Sequence, residues 1–233
     1  MTTTGAHYRV IRGELTALAA TLSAEQAATP VPALPGWSVH DTYAHLAGIC
    51  SDILTGTVGD PHDAAWTAGH VAARADVPLA EICRQWNADA PTVEERLDRP
   101  EMRRAVFALF DVFHHGHDVR GALGIVEARD TPQTQFVAQL MTKFKALEWG
   151  RAGHPPIRLA TPSGSWRLGA PDAEDAADAE PVASLDTSDF ELARIIVGRR
   201  SRAQMLAAGW VGDPEPIVDL LPVFGPPVTD LTE

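Results

Sequence analysis

Apolar side chains recur at helical spacing along the first two-thirds of the chain. In "HYRVIRGELTALAATLSAEQA" they fall at Val10, Leu15, Leu18 and Leu22, roughly the spacing of a helix. "ATPVPALPGWS" then interrupts the pattern with prolines that a helix interior does not admit. Ser38 follows as an N-cap, with Asp41 three positions on in a capping-box arrangement. The helix it opens aligns Val39, Tyr43, Leu46, Cys50 and Ile53 on one stripe. "TGTVGDP" ends it, and a short helix around "AAWTAGHVAARA" leads into a longer one over "PLAEICRQWNADAPTVEERL". Pro100 marks the next boundary, before a long helix over "EMRRAVFALFDVFHHGHDVRGAL". One more follows "GIVEARD", with Pro132 in its first turn and "QFVAQLMTKFKALEW" as its body.

After Trp149 the period changes. "IRLATPSGSWRLG" holds two alternating stretches around Pro-Ser-Gly, the pattern of a hairpin. "PDAEDAADAE" reads as an exposed acidic loop, "PVASLDTSD" as a strand, and "FELARIIVG" and "SRAQMLAAG" as helices. The pattern therefore predicts an α+β protein, with a helical bundle over residues 1–150 and a small α/β domain over 151–233. No internal repeat interrupts this division.

Composition narrows the function classes. With 45% hydrophobic and 21% charged residues in 233, the chain is of ordinary globular make-up. A formal net charge of -12 argues against sequence-independent nucleic-acid binding, which needs Lys and Arg on phosphates. It argues equally against an anionic membrane surface. "MTTTGAHYRVIRGEL" carries no basic segment followed by an apolar one, and no apolar run approaches membrane-span length. A cytoplasmic protein, monomer or dimer, acting on a small molecule is the expectation. Cys50 and Cys83 stand far apart, form no CxxC pair, and read as buried reduced thiols with no adjacent base.

The chemistry concentrates in "FDVFHHGHDVRGALG", residues 110–124. In "AVFALFDVF" the helix is apolar on every side except at Asp111, so Asp111 is expected to be a buried carboxylate, which needs a partner. His115 stands one turn on, on the same face. The two can make a plain hydrogen-bonded pair or bind a metal together with a third ligand. His45, about a third of a turn off the apolar stripe of its own helix, is the candidate third. Asp118, three residues after His115, can orient that ring. His114 and His117 point elsewhere, and His7, His62, His70 and His154 read as surface or packing residues. His40 and Asp41 sit at a helix start, where capping accounts for the aspartate.

Three blocks, "LPGWSVHDTYAHLAG", "DVFHHGHDVRGALG" and "FELARIIVGRRSRAQMLAAGWVGD", together resemble the mycothiol-dependent maleylpyruvate isomerase family, in that family's order and over nearly the whole chain. The resemblance implies a DinB-like four-helix bundle that binds metal, followed by a small sterol-carrier-like α/β domain. The family's "PGW…AHL" block lands its histidine on His45. Its pattern of an acid, three residues and "HGxD" lands on Asp111, His115, Gly116 and Asp118. Its "GRRS" turn lands on Gly198 to Ser201. The implied metal ligands are thus His45, Asp111 and His115, with zinc as the metal and mycothiol, or another small thiol, as cofactor. Asp118 and Arg199 carry the implied catalytic roles, and Arg199 and Arg200 the binding of an anionic thiol or substrate near the inter-domain cleft. An alternative for the arginines is that they only complement the C-terminal dipole of the preceding helix. The family usually has glutamate where this chain has Asp111, and losing one methylene draws the carboxylate back by about 1.5 Å, roughly one helical rise.

The implied activity is a metal- and thiol-dependent S-transfer or cis–trans isomerisation of a small electrophile. Three N/O ligands on zinc would leave a fourth position for the thiol. Two other classes compete with it. One is a non-catalytic binding protein in which Asp111 and His115 pair without metal. The other is a metal-dependent lyase or hydrolase that uses metal-bound water.

Overall fold

The computed structural model describes residues 3–99, 101, 105–169 and 180–233. The chain divides into two compact units, one of the residues up to Glu127 together with Glu233, the other of Ala128–Thr232.

In the first unit, helices α1 (Thr4–Ala19), α3 (Val39–Thr55), α5 (Leu79–Leu97) and α6 (Phe107–Ala122) form a four-helix bundle. α1 and α3 each pack on both α5 and α6, so they lie on opposite corners. A short α2 (Ala24–Ala27) precedes α3, and α4 (Ala64–Ala72) lies on α3. Local chemistry sets these elements. Ser38 accepts from the Asp41 N–H while the Asp41 side chain accepts from the Ser38 N–H, a complete capping box at the start of α3. Between α2 and α3, the proline-rich segment folds into a tight turn. The Val31 N–H donates to the Trp37 carbonyl (2.9 Å) and the Val39 N–H to the Thr29 carbonyl (3.0 Å). Gly36 makes the bend at φ 87°, a left-handed conformation that suits glycine.

The bundle core joins aromatic rings by polar tips. Trp86 donates its indole N–H to the Tyr8 hydroxyl (2.8 Å), and Tyr43 donates to the Leu15 carbonyl (2.7 Å). Both tyrosine rings meet Trp86 edge-on, with centroids 6.5 and 6.4 Å away. Burying these rings removes large apolar areas from water without stranding a polar atom. Cys50 and Cys83 are free and buried, as their context implies.

The second unit opens with α7 (Pro132–Arg151), where Thr131 is the N-cap and Pro132 the first helical residue. β1 (Ile157–Thr161) and β2 (Gly164–Leu168) form the expected antiparallel hairpin. β3 (Ala183–Asp186) pairs parallel with β1, and β4 (Val211–Gly212) antiparallel with β3, giving the order β2-β1-β3-β4. α8 (Asp189–Val197) and α9 (Arg202–Leu206) complete the unit. The protein is thus α+β, as the period change predicts.

Two boundaries differ from the sequence pattern. The pattern counts α7 with the bundle; in the structure it packs on β2 and α8 and belongs to the second unit. α6 starts at Phe107 rather than at Glu101, and residues 102–104 lie outside the described residues. The acidic stretch 171–180 also lies outside them, apart from exposed Glu180. Among the described residues, no helix is long and apolar enough to cross a membrane.

Candidate functional site

Three helices of the bundle unit bring histidines together. His45 comes from α3, His70 from the last turns of α4 and His115 from the middle of α6, and all three are buried. The ring centroid of His45 lies 5.2 Å from that of His70 and 5.3 Å from that of His115. Trp37, presented by the proline-rich turn, stands against both His45 (5.0 Å) and His115 (6.4 Å).

A carboxylate holds each outer ring. His115 Nδ1 is 3.0 Å from Asp118 Oδ2, and both groups are buried. His70 Nε2 is 3.0 Å from Asp52 Oδ2, which also accepts from the Trp66 indole at 2.7 Å. Thr57 donates to the other oxygen of Asp52 at 3.0 Å. Burial pushes the Asp52 carboxyl upward, but hydrogen bonds from His70, Trp66 and Thr57 outweigh it and hold the group below the usual carboxylate range. Asp52 is therefore ionised and only accepts. On the inner side, His70 Nδ1 lies 3.2 Å from His45 Nδ1.

These contacts select tautomers. A neutral His70 that donates from Nε2 to Asp52 has its lone pair at Nδ1, so His45 donates from Nδ1 and keeps its lone pair at Nε2. A neutral His115 donating from Nδ1 to Asp118 likewise keeps its lone pair at Nε2. Burial, followed by the neighbouring His115 and His70, holds the His45 pKa well below the usual 6.5. At neutral pH its ring is uncharged.

The close packing at His70 depends on Gly48, one turn after His45. A Cβ at Gly48 would fall 2.4 Å from His70 Cγ, so only glycine lets α4 set that ring against α3.

Of the expected site residues, the structure brings together His45, His115 and Asp118. Asp111 departs from its expectation, being half-buried rather than buried. Positions 108, 109, 112 and 113 of α6 face the bundle, whereas Phe107, Phe110 and Asp111 share a partly covered stripe. An all-round apolar window thus overstated how completely its neighbours enclose the helix. Arg200 is buried in the second unit and makes two 2.7 Å bonds to the two carboxylate oxygens of Glu191. Arg199 is half-buried there, and its backbone N–H donates to the Arg194 carbonyl at 2.8 Å.

Sequence reasoning passed over His70 and Asp52. Their signal was in the spacing: His45, Gly48 and Asp52 share one face of α3, and Trp66 and His70 are one turn apart on α4. His114 and His117 are buried with edges on Phe113, at 5.0 and 4.7 Å between centroids. His40 bonds through Nε2 to the Val77 carbonyl at 2.8 Å, clear of the cluster.

The donor types at His45 and His115 suit zinc, and both keep Nε2 open. A third donor is not in place: among the described residues, no three His, Cys, Asp or Glu side chains form a group that could hold a metal ion. As the residues stand, they do not fit a three-ligand metal.

The fold and site define a two-part α+β protein whose helical unit carries a buried histidine–carboxylate cluster. Residues 8–120 match the family model described as the mycothiol maleylpyruvate isomerase N-terminal domain. The match spans nearly all of the helical unit, which is thus similar to the mycothiol maleylpyruvate isomerase N-terminal domain. Two solved structures share the fold at 14% identity, each match covering 85% of this chain and 92% of the other. One is a histidine-to-alanine mutant of the mycothiol-dependent maleylpyruvate isomerase, with a TM-score of 0.57. The other is described simply as the mycothiol-dependent maleylpyruvate isomerase and has a TM-score of 0.52. A search of curated proteins gave no match.

Proposed function

We propose that the chain is a thiol-dependent isomerase or S-transferase for a small electrophilic substrate, with mycothiol, the thiol in the name of the family whose model it matches, as cofactor. The observation that carries this reading is the buried His115–Asp118 pair beside His45, in a domain similar to that family's. His115, oriented through Nδ1, offers Nε2 as a proton acceptor, and the Asp118 carboxylate stabilises the imidazolium that forms.

Atoms and charge balance at each step. The incoming thiol gives its proton to His115 Nε2 and becomes a thiolate, the nucleophilic form. The sulfur bonds to one carbon of an activated cis double bond, and the electron pair moves into the substrate's electron-withdrawing group. Rotation about what is now a single bond precedes loss of the thiolate, which restores the double bond as trans. The thiolate recovers its proton from His115. In a transferase, the substrate carbanion takes that proton instead and the sulfur stays attached. The test is turnover of maleylpyruvate with and without mycothiol. Activity is expected only with the thiol, falling by about 10²-fold or more in His115→Ala. Turnover without thiol overturns the reading in favour of a hydrolase or lyase.

A second reading retains zinc, held by His45, Asp111 and His115. The open Nε2 positions on both rings support it, and Asp111 would have to draw in towards them. Elemental analysis of protein purified without chelator or affinity tag tests it. Stoichiometric zinc that disappears in both His115→Ala and Asp111→Ala is the expected result, and metal-free wild-type protein overturns it.

A further inference from the structure

We propose that the cleft between α3 and α4 is a binding site for a small organic carboxylate, with Arg74 as its cation. The cleft encloses about 500 Å³, with Ser51, Asp52, Trp66, Gly69, His70 and Arg74 on its walls. Small-ligand sites start at a few hundred Å³, so a ligand of a few carbons fits.

Arg74 is the residue that calls for a ligand. Its Nε is buried and has no hydrogen-bond partner, and its one hydrogen bond runs from Nη1 to the His70 carbonyl at 3.5 Å, the outer limit of such a contact. The other covered arginines of this unit are satisfied. Arg12 meets Glu94 at 3.0 Å, Arg96 meets the carbonyls of Ile53 and Leu54 at 2.7 and 2.9 Å, and Arg120 meets Glu14 at 3.3 Å. Among the described residues, no carboxylate forms an ion pair with Arg74. A guanidinium on a cleft wall that has no carboxylate to pair with leaves its charge for a ligand in that cleft.

The acidic group that shares the cleft does not fill this role. Both oxygens of Asp52 are already engaged, one by Trp66 and His70 and the other by Thr57. The overall charge of -12 would not draw an anion in from a distance, so its retention must come from a local cation. A guanidinium presents parallel N–H groups that match the two oxygens of a carboxylate. Ser51 adds a hydroxyl. Trp66 adds an apolar wall, fixed by its bond to Asp52 and its edge contacts with His70 (4.8 Å) and Phe107 (6.4 Å). A cation beside an aromatic wall favours an organic acid over inorganic phosphate.

The site adjoins the proposed reaction centre, because His70 lines the cleft and bonds to His45. The inference rests on the preceding functional reading in one respect only, that the bound anion is the acid group of the substrate.

NMR spectra of the full chain, titrated with succinate at constant ionic strength, test the proposal. The Arg74 Nε–H and Trp66 Nε1–H signals are expected to shift saturably, with a dissociation constant in the millimolar range. Uncharged succinamide should leave them in place. Arg74→Gln should weaken binding at least about tenfold, and Arg74→Lys should retain part of it. Unchanged Tyr43 and Leu15 signals confirm the fold of each variant. No saturable shift in the wild type, or equal binding by Arg74→Gln, overturns the site, and phosphate binding as tightly as succinate overturns the organic-acid assignment. Binding without thiol-dependent turnover would sink the functional reading and leave the site standing, whereas turnover without binding would do the reverse.

Discussion

His70 Nδ1 stands 3.2 Å from His45 Nδ1, across 25 residues of sequence, so one ring carries its proton there and the other its lone pair. Asp52 decides which. An ionised carboxylate cannot donate, so a neutral His70 has its proton at Nε2 and leaves His45 as the Nδ1–H tautomer. The carboxylate on α3 thereby sets the tautomer of a histidine on the same helix through a ring on another. Nitrogen-15 chemical shifts of His45 in metal-free protein should show a protonated Nδ1 and an open Nε2. His70→Gln, which keeps an acceptor and a donor, should preserve this pattern, while His70→Phe, which keeps only the ring, should release it. An Nε2–H tautomer in the wild type would refute the assignment.

Gly48 sets two effects against each other. Alanine in a helix interior is intrinsically better than glycine by about 0.5–1 kcal/mol. The added methyl would meet His70 Cγ at 2.4 Å, and overpacking of this kind costs about 1–3 kcal/mol. The clash should win, so Gly48→Ala should lose about 1–2 kcal/mol in urea unfolding and also perturb the His45 signals. At Gly13, in α1, an added Cβ would meet nothing within 4 Å, and Gly13→Ala should gain stability on the intrinsic term alone.

Burial of neutral imidazoles makes the protein acid-sensitive. Burial first, then His115 and His70, lower the folded-state pKa of His45 from 6.5, and burial lowers that of His7 as well. Between the folded value and 6.5 the unfolded chain binds a proton that the folded chain refuses. Stability is therefore full above about pH 6.5 and is lost as pH falls towards the folded value, by at most about 1.4 kcal/mol per pH unit for each ring. Urea midpoints of chelator-treated protein should fall between pH 7.5 and 5.5, and His45→Gln should flatten that slope. A His45→Gln profile as steep as wild type would remove His45 as the cause.

The parts of the molecule legible in the sequence are those fixed by chemistry within a few residues. Ser38 with Asp41 and the Pro-Ser-Gly hairpin satisfy their own backbone locally, Pro132 lacks the N–H that a first turn leaves unpaired, and each stands where the pattern places it. The pairing of Asp118 with His115 is also local, three residues apart on one helix. What the sequence hid is which neighbour each face meets. The helical pattern of α7 does not name its partners, which are β2 and α8. Asp111 sits in an apolar window, yet its stripe of α6 is only partly covered. His70 looked like an isolated packing residue because the glycine that admits it and the carboxylate that orients it lie on another helix.

The cysteines supply a prediction about where the nucleophile comes from. Burial pushes the Cys50 thiol up to about 12 and the Cys83 thiol up to about 11. Both stay protonated at neutral pH, and a thiol rather than a thiolate neither attacks an electrophile nor exchanges with a disulfide reagent. Ellman's reagent should therefore label neither residue in the folded protein and both after denaturation. As small buried side chains, both tolerate alanine better than a polar group. The double variant Cys50→Ala, Cys83→Ala should thus fold, at a cost of about 1–3 kcal/mol in total. It should also keep its thiol-dependent turnover within about threefold of wild type, a change worth less than about 1 kcal/mol of barrier. Loss of turnover in a folded double variant would make one of these cysteines the nucleophile and remove the need for an external thiol.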